Sequence, residues 1–259
     1  MLNEIIEHKR REIATKRAAY SPAQARASAL AAPPARDFTA ALRRRGKVSV
    51  IAEIKRASPS KGPIRPGADP VEIAKIYAAA GAAAISVLTD ERFFHGSPEF
   101  LSLVRGAVQI PVLCKEFILD PVQIYEARRL GADAVLLIVR LLKQRELVEF
   151  ISLARELGME CLVEVHNPEE IDRSLAAGAS IIGINNRDLG NFQTDIATTF
   201  RLKRYLLPEV VVVSESGISS PLAIQALKEH GVDAVLIGEA LMAAEDIQAK
   251  LRELVAAGG

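Results

Sequence analysis

The sequence has almost no net charge: 33 basic against 32 acidic residues leave +1. That balance excludes a nucleic-acid binder that works by neutralising phosphates. No apolar run approaches the roughly 18 residues needed to span a bilayer, and no signal peptide opens the chain. Cysteine is scarce. Cys114 and Cys161 both fall within apolar strand patterns, so they read as small core residues of a reducing compartment, not as a disulfide or a zinc site. The four histidines, His8, His95, His166 and His230, show no metal-ligand spacing. These absences predict a soluble, cytoplasmic protein without structural metal.

What remains is aliphatic and ordered. The 49% apolar content is ample for a large core, and 259 residues suit one large α/β domain. Residues 1–46 read as a helical extension and 47–259 as the main domain. In the extension, Leu2, Ile5, Ile6 and Ile13 form a stripe on a helix over Leu2–Arg17. Ser21–Ala35 is Ala-rich and closes on Pro33-Pro34, and Phe38–Arg45 predicts a short helix capped by Asp37. Arg43-Arg44-Arg45 reads as a solvated helix end.

From Val48 the pattern alternates between strand and helix. Strand cores are expected at Val48–Lys55, Ala83–Leu88, Pro111–Lys115, Ala134–Val139, Glu160–Val165, Ile181–Asn185, Val210–Ser214 and Ala234–Gly238. Amphipathic segments lie between them, such as Val71–Ala80, Leu142–Leu157, Pro168–Ala177 and Pro221–His230. A related phrase recurs as Gly81-Ala-Ala-Ala-Ile, Gly131-Ala-Asp-Ala-Val, Gly178-Ala-Ser-Ile-Ile and Gly231-Val-Asp-Ala-Val, each glycine ending a helix just before a strand. Eight βα units predict an α/β fold closed as a (β/α)8 barrel. The competing open doubly wound sheet would carry a Gly-x-Gly-x-x-Gly turn after its first strand, and none occurs.

The strand ends carry the chemistry. Glu53 and Lys55 end the first strand, Lys115 the third, Glu164 the fifth, Asn185 with Arg187 the sixth, and Glu215 with Ser216 the seventh. One such charge could be a satisfied ion pair. Five strands doing this on one rim point to catalysis, because each buried charge there opposes folding. Ser214-Glu-Ser-Gly-Ile218 and Ile237-Gly-Glu-Ala-Leu-Met242 offer backbone N–H groups after the last two strands, where barrel enzymes hold phosphate. A side chain added at Gly217 or Gly238 should fill that phosphate space. Phe94, Phe117, Leu136, Leu189 and Ile237 near the same rim suit a flat apolar ring.

These motifs become specific when read whole. Ile51-Ala-Glu-Ile-Lys-Arg-Ala-Ser-Pro-Ser-Lys-Gly62, Leu113-Cys-Lys-Glu-Phe117, Leu162-Val-Glu-Val165, Gly183-Ile-Asn-Asn-Arg-Asp-Leu189 and Ser214-Glu-Ser-Gly-Ile218 resemble the indole-3-glycerol phosphate synthase family, and the resemblance runs the length of the chain. It implies a (β/α)8 barrel with an N-terminal helical extension and no cofactor or metal. The implied reaction closes 1-(2-carboxyphenylamino)-1-deoxyribulose 5-phosphate to indole-3-glycerol phosphate with loss of CO2 and water. It makes Lys115 the general acid on the ketone and Glu164 the general base. Lys55 then lies between the substrate anions and the ring-closing carbon, with Glu53 and Asn185 orienting groups nearby. Ser58, Arg187 and Glu215 match positions around the anthranilate part, and Ser216, Gly217, Gly238 and Glu239 match the phosphate cradle. The expected partner is one phosphorylated small molecule, with no nucleic acid or membrane and a monomer as the simplest state. The chain ends soon after its eighth unit, so no fused second barrel is expected.

The residue types suit that chemistry independently. A lysine near a second lysine is expected to have a lowered pKa and to donate readily. Carboxylates can stabilise the cationic intermediate that decarboxylates. A Schiff-base lyase using Lys115 or Lys55 as nucleophile is the enzymatic alternative, and a catalytically silent phosphate-binding barrel is the alternative from another class.

Overall fold

The computed structural model describes all residues except 1, 20 and 189–192. Eight aliphatic segments pair side by side as parallel strands: β1 (Ser49–Ile54), β2 (Ala84–Leu88), β3 (Val112–Lys115), β4 (Ala134–Ile138), β5 (Glu160–Val165), β6 (Ile181–Asn185), β7 (Val211–Glu215) and β8 (Ala234–Ile237). They follow one another in sequence order, and β8 pairs back to β1 through Ser49↔Ala234 to Ala52↔Ile237, closing a barrel. Burial on both faces explains why these strands are near-continuous in Val, Ile, Leu and Ala. The glycine of each recurring phrase takes the left-handed conformation that lets a helix stop and a strand begin.

Strand periodicity splits the core in two. Ala52, Ile54, Val112, Val163 and Val212 face outward into the layer shared with the helices. Ile51, Leu113, Leu136, Leu162, Ile181, Val213 and Leu236 fill the barrel interior. Since inward positions recur every second residue, those two steps further along β1, β3, β5 and β7 are Glu53, Lys115, Glu164 and Glu215. The charges sit on top of an aliphatic plug.

Three helices precede β1: α1 (Leu2–Ala19), α2 (Pro22–Leu30) and α3 (Phe38–Leu42). Asp37 caps α3, accepting from the Ala40 N–H. The helix ends at Leu42, earlier than the apolar pattern suggested, and Arg43 donates to the Pro208 carbonyl. Phe38 and Leu42 are fully buried and join the interior cluster, so α3 stoppers the N-terminal end of the barrel. Val139, expected at the end of β4, instead begins a 3-10 turn over Val139–Leu141, and the next helix runs Gln144–Glu156. Among the described residues no helix is long and apolar enough to cross a membrane.

At the opposite end α1 lies over the barrel mouth, where Leu2 and Ile5 reach the central cavity. Ion pairs hold it there. Arg17 meets Asp120 and Lys16 meets Glu126, while Lys9, only 3% exposed, has its Nζ 2.6 Å from Glu12, 3.1 Å from Asp90 and 3.1 Å from Glu116. Burial alone would lower the Lys9 pKa, but Glu116, Glu12 and Asp90 outweigh it and raise it. Removing one member of such a buried set typically costs about 3–5 kcal/mol, because the others stay desolvated. Lys9→Met should therefore release α1, accelerating protease cleavage before Ala19 and raising KM. Intact protection with unchanged KM would show that α1 is held by its apolar contacts alone.

Candidate active site

The cavity at the C-terminal end of the strands has a volume of about 340 Å³. Its floor is charged. Lys115 Nζ lies 3.0 Å from Glu215 Oε2, 3.8 Å from Glu164 Oε2 and 4.0 Å from Glu53 Oε2, and Lys55 Nζ lies 3.0 Å from Glu53 Oε1. Ser86 on β2 donates to Glu53 Oε2 at 3.4 Å, and Asn185 Nδ2 donates to Glu164 Oε1 at 3.2 Å. Asn185 also accepts from the Arg187 N–H, which turns the chain out of β6.

The electrostatics correct one expectation. Lys115 is not a lysine depressed by a neighbouring lysine. Burial would lower its pKa, but Glu215, Glu53 and Glu164 together hold it above the ordinary lysine value. Glu53 is likewise buried, yet Lys55 and Lys115 keep its carboxyl below the usual range. Glu215 goes the other way: burial pushes it up to about 7 against the pull of Lys115, and Glu164 and Glu53 add to the rise. With Glu215 protonated, two carboxylates balance two ammonium groups.

One wall of the cavity is apolar. Phe94 and Phe117 meet at 6.0 Å between ring centroids, with Leu136 and Ile237 alongside. Phe94 comes from a short helix, Glu91–Phe94, which the sequence pattern did not show. The other wall is polar: Arg187 donates to Ser60 at 2.9 Å and to Glu239 at 3.3 Å, and Ser58 lies 3.4 Å from Ser60. Ser216, Gly217, Gly238 and Glu239 border the same space after β7 and β8. Leu189, expected beside them, lies outside the described residues. All the other expected site residues line this one cavity.

The glycines also lie tight against protein groups. A Cβ at Gly238 would run into the Glu53 carboxylate, and one at Gly217 into Thr194. Their smallness therefore makes room for protein groups. The same holds for Gly183 on β6, whose missing side chain leaves the place taken by Glu215. A glycine inside a strand pattern was the available signal for it. Asn186 also escaped notice; it donates to the Ser216 carbonyl and to Ser214, and accepts from Thr199, fixing the loop after β7. Leu2, Ile5, Ser60 and Leu236 also line the cavity. Among the described residues no group of His, Cys, Asp and Glu is arranged to hold a metal ion.

A closed parallel barrel whose ammonium and carboxyl groups meet at the C-terminal rim, beside a partly apolar cavity, defines a (β/α)8 barrel with its polar residues where such barrels carry their active sites. A family model described as indole-3-glycerol phosphate synthase matches residues 2–254. The indole-3-glycerol phosphate synthase of Desulforamulus reducens is 50% identical over 100% of this chain and 98% of its own. That of Carboxydothermus hydrogenoformans is 56% identical over 82% and 81%. The chain belongs to the indole-3-glycerol phosphate synthase family. A solved 3-hexulose-6-phosphate synthase, 16% identical, superposes with a TM-score of 0.65 over 82% of this chain and 100% of that one, which shows the shared fold.

The raised Glu215 has a stability consequence. Its folded value, near 7, exceeds the ordinary 4.5, so between those pH values the folded protein keeps a proton that the unfolded chain has lost. Stability therefore falls as pH rises through that window. Glu215→Gln, always neutral, should melt above wild type at pH 8, on a scale of about 2–4 °C per kcal/mol. The gap should close towards pH 4.5. A melting difference that does not vary with pH would mean Glu215 is ionised throughout.

Proposed function

We propose that this chain is a carboxy-lyase of tryptophan biosynthesis that closes 1-(2-carboxyphenylamino)-1-deoxyribulose 5-phosphate to indole-3-glycerol phosphate, with Lys115 as general acid and Glu164 as general base. The observation that carries the assignment is the placing of Lys115: an ammonium whose pKa is held up by Glu215, Glu53 and Glu164, facing the cavity. Such a group is a proton donor and a poor nucleophile, which speaks against a Schiff-base mechanism. Attack of the ring carbon on the ketone places negative charge on its oxygen, and Lys115 protonates it there. Carbon dioxide then leaves the cationic ring system, which the carboxylates Glu53 and Glu164 stabilise. In the dehydration, Glu164 takes a C–H proton while an ammonium of the Glu–Lys set protonates the hydroxyl, which departs as water, and the lysine regains its proton from solvent.

Lys55 meets the substrate anions, while Glu53 and Asn185 hold the ammonium and carboxylate groups in place. Ser58, Arg187 and Glu215 surround the anthranilate part, against Phe94, Phe117, Leu136 and Ile237. Backbone N–H groups of Ser216, Gly217, Gly238 and Glu239 hold the phosphate. The chemistry uses no cofactor or metal, since Lys55 and Lys115 occupy the carboxylates that could bind one. A monomer is the simplest working unit. Aliphatic content and balanced charge support a cytoplasmic enzyme without nucleic-acid or membrane partners.

Lys115→Met retains bulk and removes the proton donor. Its kcat, followed by the fluorescence of the indole product, should fall at least ~10²-fold with much less change in KM. Near-normal kcat would remove Lys115 from the acid role. Gly238→Val provides a second test. Because the new side chain would meet the Glu53 carboxylate, kcat should fall along with affinity. A change in KM alone would mean that position 238 faces only the ligand.

A further inference from the structure

Lys9 does more than hold α1 over the mouth. Its ammonium lies 3.1 Å from Asp90 Oδ2 and 3.1 Å from Glu116 Oε1, on two loops that each carry one ring of the apolar wall. Asp90 follows β2 and caps the short helix Glu91–Phe94, its Oδ1 accepting the Phe93 N–H at 2.7 Å. Glu116 follows β3, and its Oε1 accepts the Phe117 N–H at 2.7 Å. Each carboxylate thus holds Lys9 and also the backbone that leads to a ring. Asp90 is fully buried and its Oδ2 has no hydrogen-bond partner, so the Lys9 ammonium is the cation that faces it.

Both loops are stiff. The Gly96 N–H donates to the Asp90 carbonyl at 2.8 Å and closes the turn behind Phe94, where a Cβ at Gly96 would strike the Leu88 carbonyl. Phe117 is held from its other side by Gln123, which donates to its carbonyl at 2.9 Å. Thr89 joins the two loops, donating to Glu116 Oε2 at 2.8 Å. A shift at either carboxylate is therefore passed on to a ring, not absorbed. On α1, Leu2, Ile5 and Lys9 are spaced by three and four residues and share one face, so the ammonium also registers the two aliphatic side chains that reach the cavity.

Resting on the assignment of Phe94 and Phe117 to the anthranilate ring, we propose that Lys9 is a positioning residue for ring binding, placing the two phenyl groups relative to each other and to Leu2 and Ile5. Burying an ammonium between carboxylates desolvates every member of the set, and close approach is what offsets that cost. Charge pairing behind the wall thereby fixes the shape of an apolar cleft in front of it. The phosphate end is built from different segments, after β7 and β8, so the two ends of the substrate should respond differently when Lys9 is lost.

The test follows KM for 1-(2-carboxyphenylamino)-1-deoxyribulose 5-phosphate and the inhibition constant of inorganic phosphate, neither of which depends on how much enzyme is folded. Lys9→Met should raise KM about tenfold, the worth of roughly one methylene of pocket contact. Its kcat should change much less, and the phosphate inhibition constant should stay within about twofold of wild type. The deciding readout is a double-mutant cycle with Phe94→Ala. If Lys9 acts through the ring, replacing it in the Phe94→Ala background should raise KM only about threefold or less. A full effect in that background, or an unchanged KM in Lys9→Met while Tm falls, makes Lys9 a fastening of α1 alone and refutes the proposal. Phosphate affinity lost in step with KM would refute it too. Should Lys9→Met fold poorly, Asp90→Asn enters the same cycle, because it keeps a capping oxygen and removes the charge that faces Lys9. A wild-type enzyme that does not turn this substrate over would instead overturn the proposed function, a separate outcome.

Discussion

The structure depends on Lys115 keeping its charge inside the barrel in the resting state. An ammonium fully inside a barrel would ordinarily shed its proton, because desolvation penalises the charged form by several kcal/mol. Here Glu215, Glu53 and Glu164 converge on it from three different strands, and their attraction outweighs burial. The converse also holds. Without Lys115, three carboxylates would face one another with only Lys55 against them. Each strand end is therefore stable only because the others are in place, and barrel closure and charge balance become one condition. The surplus negative charge is absorbed by Glu215, the carboxyl that binds its proton most tightly.

This mutual dependence sets what smaller residues must do. Gly183 and Gly238 leave room for the carboxylates of Glu215 and Glu53, so those side chains are held by backbone packing and cannot swing away. Asn186 serves the loop after β7 in the same way, tying the Ser216 carbonyl to a buried group that includes Ser214 and Thr199. Rigid placement matters because acid–base groups act only within hydrogen-bond reach of the atoms they serve. At the mouth, α1 is fixed by the buried Lys9 to Glu116, the residue next to Lys115, so the cover and the floor share a segment of chain.

The barrel was legible because its signals are local. Inward alternation, helix-stopping glycines and charges two residues past an apolar position each show within a few residues, and the strands differ from expectation only at their ends, as at Val139. Rim residues followed from the same register. Partnerships across the sequence were not legible. Nothing near Lys9 announces Asp90 or Glu116, and nothing near Lys115 announces that three carboxylates will meet it. The sign of its pKa shift therefore cannot be read from Lys55, the one neighbour that the sequence suggests. Phe94 was ambiguous for a related reason: only its short helix turns it from loop packing into cavity wall.

The position of Glu164 follows from the same geometry. Inward register on β5 brings it to the rim one strand from Asn185 and two from Lys115, so its two oxygens meet different groups. Lys115 lies against one oxygen of Glu164, and Asn185 donates to the other. The buried charge that opposes folding is what gathers ammonium and carboxyl groups at one rim of the barrel. The same side chains, Glu53, Lys55, Lys115, Glu164 and Glu215, set the charge balance of the barrel end and line its cavity, so a substitution at any of them changes both.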